Sequence, residues 1–159
     1  MQKHKKINKK LFHNIVKNIP ICTTDVVMFS SNRKKVLFGR RANAPLKGRY
    51  YSFGGRLLKN ESFVNGAVRN AEQELNLKIK KKKLMFGGVV NEIFSNSIYS
   101  DTNYHAVNIY WGYILDIKEE NKITLDGQHT SCRWFNISDK KLHPYLKERI
   151  NSLCDKYDL

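Results

Sequence analysis

Between Gly54 and Leu77 the sequence reads GGRLLKNESFVNGAVRNAEQELNL, and its glycines and charges fall at spacings suited to phosphate and metal chemistry. The pair Gly54 and Gly55 precedes Glu61, and Arg69 and Glu74 follow on a stretch of helical character. Magnesium sites on phosphates use hard oxygen ligands, commonly with more than one carboxylate. Here a single carboxylate is well placed. At 100° per residue, Phe63, Val64, Ala67, Val68, Ala71 and Leu75 share one helix face. Glu74 sits at the edge of that face, whereas Arg69 and Glu72 lie well away from it. A carboxylate half-turned toward the interior is costly unless it is paired or holds a metal ion.

The elements that must position this helix follow from the patterning. Leu11, Phe12, Ile15, Val16 and Ile19 recur at helical spacing and stop before Pro20, which predicts a short amphipathic helix inside a basic N-terminal segment, 1–20. ICTTDVVMFS and KVLFGRR are β-rich runs joined by the turn-forming SSNRK, a hairpin pattern. ANAPLKGRY reads as a loop, YYSF as a short strand, and GGR as a tight turn, since adjacent glycines tolerate positive φ. Asn60 or Ser62 can cap the central helix. LMFGGVVNEIF and the loop SNSIYSDTN lead into the apolar run HAVNIYWGYILDI, a buried strand with His105 at its mouth. KEENK reads as a turn, TLDGQHTS as a polar loop and CRWFN as a short strand. PYLKERINSLCDKY is a helix, with Pro144 at its start and Tyr145, Leu146, Ile150 and Leu153 in register. Arg40 and Arg41 are adjacent on a strand, so they face opposite sides and only one reaches a given site. The order is α+β, and 159 residues suit one domain, 1–159.

Composition narrows the function classes. No apolar run is long enough for a membrane span, and the basic N-terminus lacks a signal-peptide apolar segment, so a cytoplasmic location is expected. Cys22, Cys132 and Cys154 share no metal-ligand spacing and are odd in number, which argues against a disulfide framework or a zinc site and for small buried hydrophobes. The net charge of +15 comes largely from lysine runs that contain no aromatic residue. Single-strand binders interleave stacking aromatics with their cations, so nucleic acid is disfavoured as a partner. The positive field suits a polyanionic small molecule.

The Gly54–Leu77 segment resembles a Nudix box. Gly55, Glu61, Arg69, Ala71, Glu74 and Leu77 match its pattern, while Asn70, Gln73 and Asn76 stand where it has Glu, Glu and Gly. The resemblance implies a Nudix-type α/β/α sandwich with a mixed β-sheet and a loop-helix catalytic motif. Within that family the chain is most similar to the GDP-mannose mannosyl hydrolase branch, which has a similarly degenerate box that keeps the last Glu. Asp25, FGRRANAPLKGRYY, GGR and DGQHTSCRW carry this second likeness. Phe53 departs from it where the branch commonly has Pro. Ala106 stands at or near a leaving-group tyrosine, with Tyr104 as a nearby substitute.

The resemblance implies an Mg²⁺-dependent hydrolysis of a nucleotide sugar, GDP-mannose or GDP-glucose, to GDP and hexose by water attack at C1, with Mn²⁺ as a substitute metal. Gly54 would offer a carbonyl, Glu74 a carboxylate and Gln128 an amide oxygen to the metal. Arg41 and Arg56 would hold the diphosphate, their guanidinium forks being matched to phosphate oxygens. His129 would be the general base, as an imidazole titrating near neutrality. Asp25 would contact the sugar or orient catalytic groups, and Tyr104 would face the leaving group. Gly55, Glu61 and Arg69 would be structural parts of the box. A homodimer is also implied. Two alternatives stay open: a conventional Nudix diphosphatase cleaving P–O, and a non-catalytic nucleotide-binding module that has lost its acids.

Overall fold

A computed structural model describes residues 7–125 and 129–159, the side chains of His129 and Thr130 excepted. The chain opens with α1 (Lys9–Asn18), capped by Asn8, whose side chain accepts from Leu11 N. β1 (Ile21–Phe29) then runs through the middle of the molecule and is buried along almost its whole length. β2 (Lys35–Arg41) returns antiparallel to it, with Met28 opposite Leu37. The short β3 (Tyr50–Tyr51) pairs with β2, and β4 (Phe53–Arg56) turns back onto the first half of β1. α2 (Phe63–Leu75) carries the box and is followed by β5 (Met85–Phe94) and β6 (Tyr104–Ile114). The last elements are the four-residue α3 (Ile117–Glu120), β7 (His129–Asn136) and α4 (Pro144–Tyr157).

Among the described residues the strands form one seven-stranded sheet ordered β3-β2-β1-β6-β5, with β4 on β1 and β7 on β2. β1 and β6 are parallel and the other pairs antiparallel, so the sheet is mixed. Strand alternation sorts β1 between two layers. Val26 and Met28 pack with Ala67, Val68, Ala71 and Leu75 of α2, whereas Val27 and Phe29 pack with Leu146, Ile150 and Leu153 of α4. Helices thus cover both faces, an α/β/α sandwich. Thr23 and Asp25 belong to the α4 face by the same alternation, and they are what the site is built on.

Several elements differ from the sequence expectation. GGR is not a turn: Gly54 and Gly55 lie in β4, and neither has positive φ. KEENK overlaps α3, closed by a capping box between Asp116 and Glu119. The polar segment TLDGQHTS ends in strand, since β7 begins at His129. Of the cysteines, Cys22 and Cys154 are half-buried and pack against the core, whereas Cys132 is exposed and not a core residue. No helix among the described residues is long and apolar enough to cross a membrane.

Candidate active site

Ser62 caps α2, its hydroxyl accepting from Asn65 N. One turn on, Arg69 binds both oxygens of Glu61, Nε to Oε1 at 2.7 Å and Nη2 to Oε2 at 2.8 Å. Arg69 Nη2 also donates to the Arg56 carbonyl at 3.1 Å, and Leu58 N donates to Glu61 Oε2 at 3.0 Å. This pair therefore ties the loop, the helix and β4 into one unit. Asn70, where the box pattern has an acid, is buried in the same unit. It accepts from Arg69 Nη1 at 2.7 Å, and its Oδ1 lies 3.2 Å from where a Gly55 side chain would begin.

Gly54 joins the helix to the sheet. Leu57 N donates to Cys22 O, so in the alternation of an antiparallel ladder the pair Asp25–Gly54 is a non-hydrogen-bonded one. The peptide groups of Gly54 consequently point away from β1. Its N–H donates to Glu74 Oε2 at 2.8 Å, and its carbonyl faces the same side of the strand. A side chain at Gly54 would fall 2.2 Å from Asp25 Oδ1 and 2.5 Å from the Thr24 carbonyl, which explains the glycine better than a turn would. Glu74 is buried. Among the described residues no three His, Cys, Asp or Glu side chains converge. Glu74 and the Gly54 carbonyl are hard oxygen donors of the kind that suits a divalent ion such as Mg²⁺.

A cavity of about 470 Å³ beside β4 collects Asp25, Arg41, Gly54, Arg56 and Tyr104. Arg41 is oriented by its Nε–H bond to the Pro45 carbonyl, 2.8 Å, while its neighbour Arg40 bonds the Gly48 carbonyl outside the cavity. Arg56 lies over the Phe12 ring, 4.8 Å from its centroid. Burial, and then the Asp25 carboxylate, push the Tyr104 hydroxyl up to about 12, so it is a neutral donor at physiological pH. Ala106 is buried. Backbone register sets His129 opposite Arg41 on β7; its side chain, and Gln128 entirely, lie outside the described residues.

Sequence reasoning missed two contributors to this cavity. The first is α1, whose Lys9 and Phe12 line it. His13 stacks on Tyr99 at 4.3 Å and pairs with Asp101, and Tyr99 donates to the Lys9 carbonyl, which docks the basic segment as a wall of the site. The second is a buried ionic cluster around Arg149 of α4. Its Nη1 donates to Asp25 Oδ2 at 3.1 Å and to Ser52 Oγ at 2.8 Å, and its Nη2 donates to Glu92 Oε1. Burial opposes the charge on Arg149, but Asp25 and Glu92 more than offset it and raise its pKa. Burial raises Glu92, with Arg149 pulling it back. The signal for this cluster was an arginine on the apolar side of the C-terminal helix, one residue before Ile150.

The NUDIX domain family matches residues 22–155, and the chain belongs to that family. It is 26% identical over 140 residues to the low-salt glycan biosynthesis protein Agl8 of Haloferax volcanii, covering 87% of this chain and 85% of that one. The fold superposes on a MutT NUDIX hydrolase from Burkholderia pseudomallei with a TM-score of 0.68 at 17% identity, covering 86% of this chain and 99% of that one. A MutT/nudix family protein from Enterococcus faecalis gives 0.62 at 17% identity over 83% of this chain. The present chain spans only 47% of that protein's length.

Proposed function

We propose that this Nudix protein hydrolyses a GDP-hexose, such as GDP-mannose or GDP-glucose, to GDP and free sugar by attack of water at C1. The observation that carries the proposal is the division of groups around β4. A single α2 carboxylate, Glu74, meets the outer edge of Gly54, and the cations Arg41 and Arg56 share with Asp25 and Tyr104 the cavity that Gly54 also lines. Attack at phosphorus by metal-activated water draws on several acids, whereas departure of a diphosphate from carbon needs mainly charge stabilisation of the leaving group. Similarity to a glycan biosynthesis protein supports a nucleotide sugar as substrate.

In this reading Glu74, the Gly54 carbonyl and Gln128 would hold Mg²⁺, or Mn²⁺ in its place, which would supply positive charge to the departing diphosphate. Arg41 and Arg56 bind the phosphate oxygens. Tyr104, neutral through burial, donates a hydrogen bond toward the leaving group. Asp25 accepts from sugar hydroxyls. His129 takes the proton from the attacking water, and attack opposite the leaving group inverts C1.

Hydrolysis in ¹⁸O-labelled water tests the bond that breaks. The label is expected in the hexose, and label in a phosphate-containing product would assign P–O cleavage instead. His129→Gln should lower kcat on the order of 10²–10⁴-fold with little change in KM. Label in the sugar with an unimpaired His129→Gln variant would keep the reaction and remove the base.

A further inference from the structure

We propose that Asp25 and Glu92, both gripped by Arg149, form a recognition subsite for two hydroxyl groups of the hexose ring; this rests on the nucleotide-sugar reading above. Arg149 has no solvent exposure and does not line the cavity, but both carboxylates do. The bonds around it are one-sided. Asp25 Oδ2 accepts from Arg149 Nη1 and from Ser52 Oγ, at 3.1 and 2.7 Å. Glu92 Oε1 accepts from Arg149 Nη2 and from the Tyr51 hydroxyl. Asp25 Oδ1 and Glu92 Oε2 receive no hydrogen bond among the described residues.

Among the described residues each carboxylate is thus anchored by one oxygen and leaves the other open. Ionised carboxylates only accept, so the group that completes them must bring O–H or N–H donors. The guanidinium between them offsets one of their two charges, and the net negative, acceptor-only end of the cavity suits the hydroxyl donors of a neutral polyol and repels phosphate, while Arg41 and Arg56 hold the anionic end. Asp25 stands on β1 and Glu92 on β5, with β6 between them. Strands that far apart are about 10 Å from each other, yet the two side chains converge on one guanidinium and line the same cavity. Gly54 keeps the first of these oxygens clear, since any side chain there would sit on Asp25 Oδ1.

Arg149 acts here as a positioning residue and Glu92 as a specificity residue. The test pairs Glu92→Gln, which keeps an acceptor for Arg149 and so preserves the anchor, with a set of monodeoxy GDP-mannose substrates. Glu92→Gln should weaken GDP-mannose about tenfold, the difference between a charged and a neutral hydrogen bond to a hydroxyl, while the inhibition constant of GDP stays within about twofold. For one deoxy position the two losses should be non-additive, because both remove the same contact. Asp25→Asn gives an independent cycle with a different hydroxyl. Losses that add for every deoxy position, or an equal weakening of GDP and GDP-mannose, would overturn the subsite. Where wild-type protein turns substrate over, the comparison uses kcat/KM. Where it does not, the hydrolase reading fails on its own, and calorimetric Kd values with the same ligands still decide the subsite.

Discussion

Arg149→Met removes the one cation that two buried carboxylates share, and the structure fixes what this should cost. Arg149 is fully buried, and Asp25 and Glu92 have 9% and 5% of their side chains accessible, so water compensates only weakly for the lost partner. Deleting one member of a buried ion pair costs about 3–5 kcal/mol, mostly as the penalty of the charge left behind. That is a large part of the roughly 5–15 kcal/mol that holds a domain folded. For a chain of this size it corresponds to a fall in Tm of about 6–20 °C. The pH dependence has a definite sign. Burial already raises Glu92, and Arg149 opposes that rise, so the variant's carboxyl titrates higher still. A carboxyl whose pKa is higher folded than unfolded favours the folded state in acid, and that contribution is lost as pH rises through the folded value. The deficit against wild type should therefore be smallest near about pH 4 and widen toward pH 8. Urea midpoints and thermal melts across that range measure it. The reasoning is refuted by a loss under about 1 kcal/mol at pH 7.5, or by a deficit that grows toward acid. Adding Glu92→Gln to Arg149→Met should recover part of the loss, since it removes one of the stranded charges.

Two further outcomes follow from the same geometry. Gly54→Ala would place Cβ within 2.6 Å of Asp25 Cα and 2.5 Å of the Thr24 carbonyl, backbone atoms that cannot step aside. It should destabilise by more than about 2 kcal/mol, and a melt unchanged from wild type would disprove the close approach. Glu74→Gln should abolish detectable Mg²⁺ binding by calorimetry, whereas Glu72→Gln should leave it intact and cost about 1 kcal/mol of stability, because Glu72 Oε1 accepts from Ile79 N at 2.9 Å. Equal effects on metal affinity would show that the wrong carboxylate has been assigned to the cation.

What could be read in the sequence was local. The hairpin of β1 and β2, the amphipathic faces of α2 and α4, and the eight-residue Glu61–Arg69 spacing each lie within one short stretch of chain, so periodicity and motif spacing describe them directly. The same locality misled at GGR. Two adjacent glycines suggest a turn when only the backbone is considered, and the need for glycine here comes from Asp25 on another strand. KEENK misled for a similar reason, because Asp116 lies just before it and the cap is completed by Glu119 within it.

The loop-helix box and the β1–β2 hairpin were thus determined by sequence alone, since residues close in the chain or on one face create them. Tertiary structure decided the rest. The cavity needs α1 from the N-terminus, β4 from the middle and β5 and β6 from the second half to meet on one side of β1. Asp25 finds Arg149 across 124 positions and Glu92 finds it across 57. No periodicity reports such pairs. A charged residue on an apolar helix face marks only that a partner is needed, because burying it alone costs several kcal/mol, and which partner meets it depends on how the chain folds across the sheet.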